Sequence, residues 1–167
     1  MPRVNFSELP DHSRLWVFPV SRGLTDQETS TCEVVIDDFL AQWVAHGVPL
    51  RSAGEIRDQR FVLIGVDVDA EAPSGCSIDA LVNNLRALGD ELSVTFIDHS
   101  PVLYRDGEVI RSASRKEFRA LAADGSISLE TRVFDTSLTT VAQERDQQLE
   151  RPAVDTWHGA AFFKAPA

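Results

Sequence analysis

Arg60-Phe61-Val62-Leu63-Ile64-Gly65-Val66-Asp67 is rich in β-branched and aromatic residues and has little polar alternation. That is the pattern of a strand covered on both faces. Shortly after it, Ala72-Pro73-Ser74-Gly75-Cys76-Ser77-Ile78-Asp79 opens a helix whose apolar residues Ile78, Leu81, Val82, Leu85 and Leu88 recur at helical spacing before Gly89. A buried strand, a short loop and a helix N-terminus in succession define the centre of a mixed α and β fold, and the rest of the chain is read outward from them.

Upstream, Asp58-Gln59 makes a tight connection to a strand predicted over Pro49 to Arg57. Before that, Thr25-Asp26-Gln27-Glu28 is a capping box. It is followed by Cys32, Val35, Ile36, Phe39, Leu40, Trp43 and Val44, a continuous apolar stripe. The spacing places His46 in the last turn of this helix and Gly47 at its stop. Arg14 to Val20 reads as the first strand, which Pro19 ends or leaves unpaired on one side. Downstream, Val94-Thr95-Phe96-Ile97 reads as a fourth strand.

The resulting order is strand, helix, strand, strand, helix, strand: an α+β chain with a ferredoxin-like βαββαβ core. In that arrangement the third and fourth strands run the same way, with the first between them. The remainder reads as an extension. It contains a hairpin around Asp106-Gly107, a second capping box at Ser114-Arg115-Lys116-Glu117, and a short helix through Phe118 and Leu121 to Gly125. A strand over Ile127 to Phe134 and a polar helix over Leu138 to Leu149, ended by Arg151-Pro152, follow. Trp157, Phe162 and Phe163 suggest that the tail docks on the body. One domain over residues 1–167 is expected, with the core in 1–100 and the extension in 101–167.

The chain has 167 residues, 43% of them hydrophobic and 25% charged, enough to bury a core without disulfides or metal. Net charge is −10 and only Lys116 and Lys164 are lysines, so no basic face for nucleic acid is visible. No run has the length of a membrane-spanning segment, and Met1-Pro2-Arg3-Val4-Asn5-Phe6 lacks the apolar core of a signal peptide. Cys32 and Cys76 are far apart and outside any CxxC context, so they read as free thiols in a reducing, cytoplasmic setting.

The candidate chemistry gathers around the second helix. Ser74, Gly75, Cys76 and Ser77 offer successive backbone N–H groups, two hydroxyls and a helix dipole, which suit a phosphate or carboxylate. The same serines also serve simply as helix caps. Cys76 in the first turn gains from the dipole as a nucleophilic or redox-sensing thiol, although Asp79 three residues on opposes a thiolate. If strands three and four are parallel, Asp98 and His99 share an edge with Asp67 and Cys76, and a Cys76/His99/Asp98 set assembles there. Asp67, Asp69 and Glu71 are oxygen donors for Mg²⁺ or a solvated strand end.

The other conspicuous residues read as structure. Cys32, Trp16 and Trp43 belong to the core, and His12 and His158 have no ligand spacing around them. Arg57 and Arg60 flank the hairpin turn as solvated charges or as contacts for an anionic partner. GxxxxGK, GxGxxG, GxSxG, HExxH and CxxC are all missing, and no cofactor is expected.

Several stretches resemble a family of small bacterial proteins with no assigned activity, sometimes labelled by automated transfer as ABC-transporter ATPases. They are Phe6-Ser7-Glu8-Leu9-Pro10, Arg14-Leu15-Trp16-Val17, Phe39 to Gly47, Ser74-Gly75-Cys76-Ser77-Ile78-Asp79 and Thr131-Arg132-Val133-Phe134-Asp135. They span nearly the whole chain, and the Ser74 to Asp79 stretch is the most distinctive. The resemblance implies no catalytic residue, and without a phosphate loop the ATPase label does not suit this sequence.

The reading that follows is a cytoplasmic, non-catalytic binding or regulatory module with an anion site at Ser74 to Ser77. The alternatives are a thiol-dependent enzyme or redox sensor using Cys76, and a Mg²⁺-dependent phosphoryl-transfer or hydrolytic site using Asp67, Asp69 and Asp98. Expected partners are a protein or a small anionic ligand, with no nucleic acid or membrane. A homodimer is expected by analogy with ferredoxin-like sheets, which pair edge to edge or face to face.

Overall fold

The computed structural model describes residues 3–163, so Met1, Pro2 and Lys164 of the sequence reading lie outside the described residues. The fold is α+β, built from helices and open antiparallel sheets. The chain forms two compact units. One contains the residues up to Asp98 together with Ser137–Asp146, and the other contains His99–Thr136 and the residues from Gln147 onward.

In the first unit β1 (Arg14–Pro19), β4 (Ser52–Arg57) and β5 (Phe61–Val66) form a sheet in the order β1-β5-β4, every pair antiparallel. β1 and β4 are therefore parallel, joined through α1 (Asp26–Ala41), with β5 between them. Every residue of β5 is buried, as its unbroken apolar run requires. Val62, Ile64 and Val66 join the core formed with α1 and α2 (Gly75–Leu92). On the other face, a Cβ at Gly65 would lie 2.5 Å from Leu9 and 3.4 Å from Val141. Each fully buried Leu or Ile side chain contributes roughly 1.5–3 kcal/mol.

Three ferredoxin-like strands are thus present in the expected order, but the fourth is not. Residues 94–97 form no strand. At the far end of β1, Ser21 N–H donates to Thr95 C=O at 3.0 Å, and Thr95 N–H donates to Ser21 Oγ at 3.0 Å. At the near end, Leu15 N–H donates to Thr139 C=O at 2.9 Å, and Arg14 bridges Thr140. The free edge of β1 is thereby satisfied by two short contacts from distant segments, with no continuous neighbour. With no fourth strand, there is no parallel pair to align Asp98 and His99 with Asp67 and Cys76.

Two helix ends differ from expectation. α1 stops at Ala41, and Val44–Ala45 (β2) and Val48–Pro49 (β3) make a small hairpin. His46 (φ 52°) and Gly47 (φ 76°) are its turn, both in the left-handed region that such tight turns demand. His46 is therefore a hairpin residue, and the strand expected over Pro49 to Arg57 is split. α2 runs past Gly89 to Leu92 and is capped by Ser93 at φ 59°. Gly89 serves close packing, because a Cβ there would lie 2.5 Å from Val94 O.

Neither turn arginine is a fully solvated charge. Arg60 is buried, with Nε donating to Val20 C=O at 2.9 Å and Nη2 to Ser21 C=O at 3.3 Å. Arg57 pairs with Glu55 at 2.9 Å and Glu144 at 2.7 Å.

The second unit has a sheet in the order β7-β6-β8-β9, from β6 (Val102–Asp106), β7 (Val109–Ala113), β8 (Arg132–Phe134) and β9 (Glu150–Pro152). The hairpin and the capped α3 (Arg115–Ala123) form as the sequence predicts. The strand over Ile127 to Phe134 shrinks to β8, because Ser128 and Thr131 satisfy their own turn. Thr131 Oγ1 accepts from Ser128 N–H at 2.9 Å, and Ser128 Oγ accepts from Glu130 N–H at 3.2 Å. The polar helix shrinks to α4 (Val141–Arg145), part of the first unit, and the chain leaves it through Gln147 at φ 59°. α5 (Trp157–Phe162) brings Phe162 into the second unit's core, with Phe163 packed against it, while Trp157 stays 43% exposed. Among the described residues no helix is long and apolar enough to cross a membrane.

Candidate functional site

A cleft of about 730 Å³ lies in the first unit, lined by the second half of α1, the start of the β2–β3 hairpin and the first turns of α2. Val35, Phe39, Trp43, Val44 and Ala80 supply its apolar lining. Asp38, Gln42, His46, Ser74, Cys76, Ser77 and Asn84 supply the polar groups. Two helical rows account for most of this. Val35, Phe39 and Gln42 follow one another at i, i+4 and i+7 along α1 and its C-cap, and Cys76, Ala80 and Asn84 at i, i+4 and i+8 on α2.

A hydrogen bond ties the two walls together. Trp43 Nε1 donates to Ser77 C=O at 2.8 Å, a buried bond between the exit of α1 and the first turn of α2. Phe39 lies 5.5 Å from Trp43 between ring centroids, and Trp16 packs edge-on to Trp43 at 6.1 Å. Asn84 Oδ1 is enclosed with no hydrogen-bond partner.

The cap at the mouth of α2 is complete. Ser74 Oγ accepts from Ser77 N–H at 3.1 Å, and Ser77 Oγ accepts from Ser74 N–H at 2.7 Å. Ser77 Oγ also lies 2.7 Å from Ser74 C=O, to which it donates. Both serine hydroxyls are committed to the helix, as the capping reading holds. With the Ser77 N–H taken by Ser74 Oγ and the Ile78 N–H by Ser74 C=O, what remains for a ligand at this end is the Gly75 and Cys76 backbone N–H groups and the positive end of the dipole.

The sequence-derived candidates separate. Ser74, Cys76 and Ser77 line the cleft. Gly75 and Asp79 are exposed beside it and do not line it. Asp98 is exposed and also lies outside the lining. His99 belongs to the second unit, with Nδ1 3.2 Å from Thr136 Oγ1. Cys76 is exposed and Cys32 fully buried, and burial pushes the Cys32 thiol up to about 11, with Glu28, Glu33 and Glu91 adding to the shift.

Asp67 and Asp69 come together with His12, their ligand atoms within 4.8 Å of one another. Asp67 Oδ2 accepts from Arg51 Nη1 at 3.0 Å, Asp67 Oδ1 accepts from Asp69 N–H at 3.0 Å, and His12 Nε2 is 2.6 Å from Asp69 Oδ2. Both Asp67 oxygens accept from protein donors, and hydrogen bonds link Asp67, Asp69 and His12 into one network. Asp98 is not part of it.

Sequence reasoning misses Asp38, Gln42 and Asn84, and treats His46 as a helix end. The signal for the first three is the polar row beside each apolar stripe. Only the packing of α1 against α2 shows that the two rows face one cleft. No protein-family model matches the chain, and no solved structure matches it.

Proposed function

We propose that this protein is a non-catalytic, regulatory ligand-binding module, and that its ligand is a small organic acid with an apolar body. The single observation that carries this reading is the cleft of about 730 Å³, whose apolar wall meets the N-terminal turn of α2. A volume of a few hundred Å³ or more, mostly apolar with a few convergent polar groups, is typical of small-molecule sites. The uncommitted first-turn N–H groups favour a carboxylate head group. Phe39, Val35 and Ala80 favour an apolar body, and Asp38 and Gln42 accept or donate along its length.

A panel of aromatic and aliphatic carboxylic acids, each with its matched amide, tests the reading by thermal shift and ligand-observed NMR. Acids should raise the melting temperature more than their amides. Bound acids should also slow alkylation of Cys76 and leave the already slow labelling of buried Cys32 unchanged. Ala80→Trp, which fills the exposed mouth of the cleft, should abolish both effects. A panel in which no acid shifts melting or protects Cys76 overturns the reading.

The exposed thiol in the cleft favours a second reading, a thiol-dependent enzyme or redox sensor. Selective sulfenylation of Cys76 by dilute peroxide, absent in Cys76→Ser, would support it.

A further inference from the structure

The second groove of the first unit lies along the outer edge of β4. It measures about 220 Å³ and is lined by Arg3, Glu33, Ile36, Asp37, Gly54, Glu55 and Ile56. β4 is the last strand of its sheet, and among the described residues its outer backbone groups are hydrogen-bonded at the start of the strand. There Val4 N–H donates to Ser52 C=O at 2.8 Å, and Arg3 bridges Ser52 in parallel. Along a strand the hydrogen-bonding direction alternates residue by residue. Since Ser52 points outward, Gly54 and Ile56 also turn their N–H and C=O groups outward, while Ala53, Glu55 and Arg57 face β5. The chain then departs into a short 3-10 turn at Phe6–Glu8 and leaves those outward groups beside the groove.

The second wall is α1, brought close because Gly54 has no side chain. A Cβ there would lie 2.9 Å from Ile36 and 3.1 Å from Leu40. An open strand edge alongside a helix is the geometry in which an extended peptide adds a strand. Main-chain bonds then supply affinity and alternate side chains supply specificity.

Charge selects the occupant. Among the described residues of the lining, Glu33, Asp37 and Glu55 face one basic residue, Arg3, whose Nε is already 2.8 Å from Asp37 Oδ1. Glu33 and Asp37 stand on the α1 side. Glu55 stands on the opposite side of the strand, where its partner Arg57 is shared with Glu144. A strand laid against this edge therefore meets carboxylates on both of its faces. A second copy of a chain with net charge −10 is poorly matched to such a groove.

We propose that the β4 edge and α1 form a docking groove for an extended, basic segment of a partner protein, bound by strand addition at Gly54 and Ile56.

The test uses the full chain and a fluorescein-labelled alternating valine–lysine decapeptide, with the valine–glutamate analogue as control. Fluorescence anisotropy should show binding of the lysine peptide only, weakened by added salt. Glu33→Lys, an exposed change that leaves the core intact, should weaken it by roughly fivefold, the doubled effect of an exposed charge pair. In hydrogen-exchange NMR of the unaltered protein, the Gly54 and Ile56 amides should exchange fast when free and slow when bound. Equal affinity for both peptides overturns the proposal, and so does binding that leaves those two amides unprotected. Protection of the same amides in the free protein at dimer-forming concentrations also overturns it, in favour of a second copy on the edge.

Discussion

The two units bury their cores by different means. In the first, aliphatic side chains from β5, α1 and α2 interlock around Ile64, Leu81, Leu85 and Leu88, with Phe18, Trp43 and Phe96 dispersed among them. In the second, aromatic rings gather on one residue. Phe118 has Tyr104 and Phe162 with ring centroids 5.5 and 5.0 Å away, and Phe163 at 6.1 Å. A histidine is built into that cluster. His158 is 2% exposed, stacked on Trp157 at 3.9 Å, with Nδ1 2.9 Å from Thr156 Oγ1. The second sheet also leans on ions, with Glu150 2.6 Å from Arg105 Nε and 3.2 Å from Arg132 Nε. None of the described residues of the first core is a histidine, whereas the second unit has a buried imidazole and a half-buried ion cluster that respond to acid.

The largest effect expected is from Phe118→Ala. It should cost about 3–5 kcal/mol, as deletion of a buried aromatic does. If the second unit is a separate cooperative body, amide exchange should rise across β6, β7 and α3 while β5 stays protected. Uniform loss in β5 would show instead that the two units melt as one.

Acid should sharpen the contrast. Burial holds the His158 imidazole down to about 4 from its ordinary 6.5, a shift that nearby Asp135 opposes and Arg115 reinforces. The unfolded chain takes up that proton below 6.5 and the folded one does not until about 4. The stabilisation is complete above 6.5 and falls away by roughly 3 kcal/mol as the pH drops to about 4. Glu150 adds to the loss below its ordinary range. Burial raises its carboxyl, but Arg105 and Arg132 outweigh this and hold it low. Urea melts followed through pH 4–6.5 should show the second unit weakening first. His158→Gln should lower the baseline but flatten the profile, and a slope unchanged in that variant would assign the acid sensitivity elsewhere.

The smallest effect lies in the first unit. Ser74→Ala removes the cap that accepts from Ser77 N–H and should cost about 1 kcal/mol. Exchange should speed up in the first turn of α2 and nowhere in the second unit. A loss felt in β6 would show that the two units are coupled.

The sequence was most legible where the signal is local. Thr25 and Glu28, Ser114 and Glu117, and Ser74 at the start of α2 all form caps, because a cap is decided within four residues. The apolar run of β5 announced a strand covered on both faces for the same reason. The reading failed where a segment's structure depends on a distant neighbour. Val94 to Ile97 has strand composition, but the β1 edge it would pair with is partly taken by Thr139 and Thr140. His46 continues the helical stripe in sequence, yet two left-handed residues turn it into a hairpin.

The chain by itself determined its class, its helix starts, its central strand and the placement of Ser74, Cys76 and Ser77 at a helix mouth. Tertiary structure alone decided that Asp38, Gln42, His46 and Asn84 share one cleft with them, and that β4 keeps an open edge beside α1. Periodicity records which face of an element is buried, but the pairing of faces and edges is fixed by long-range packing.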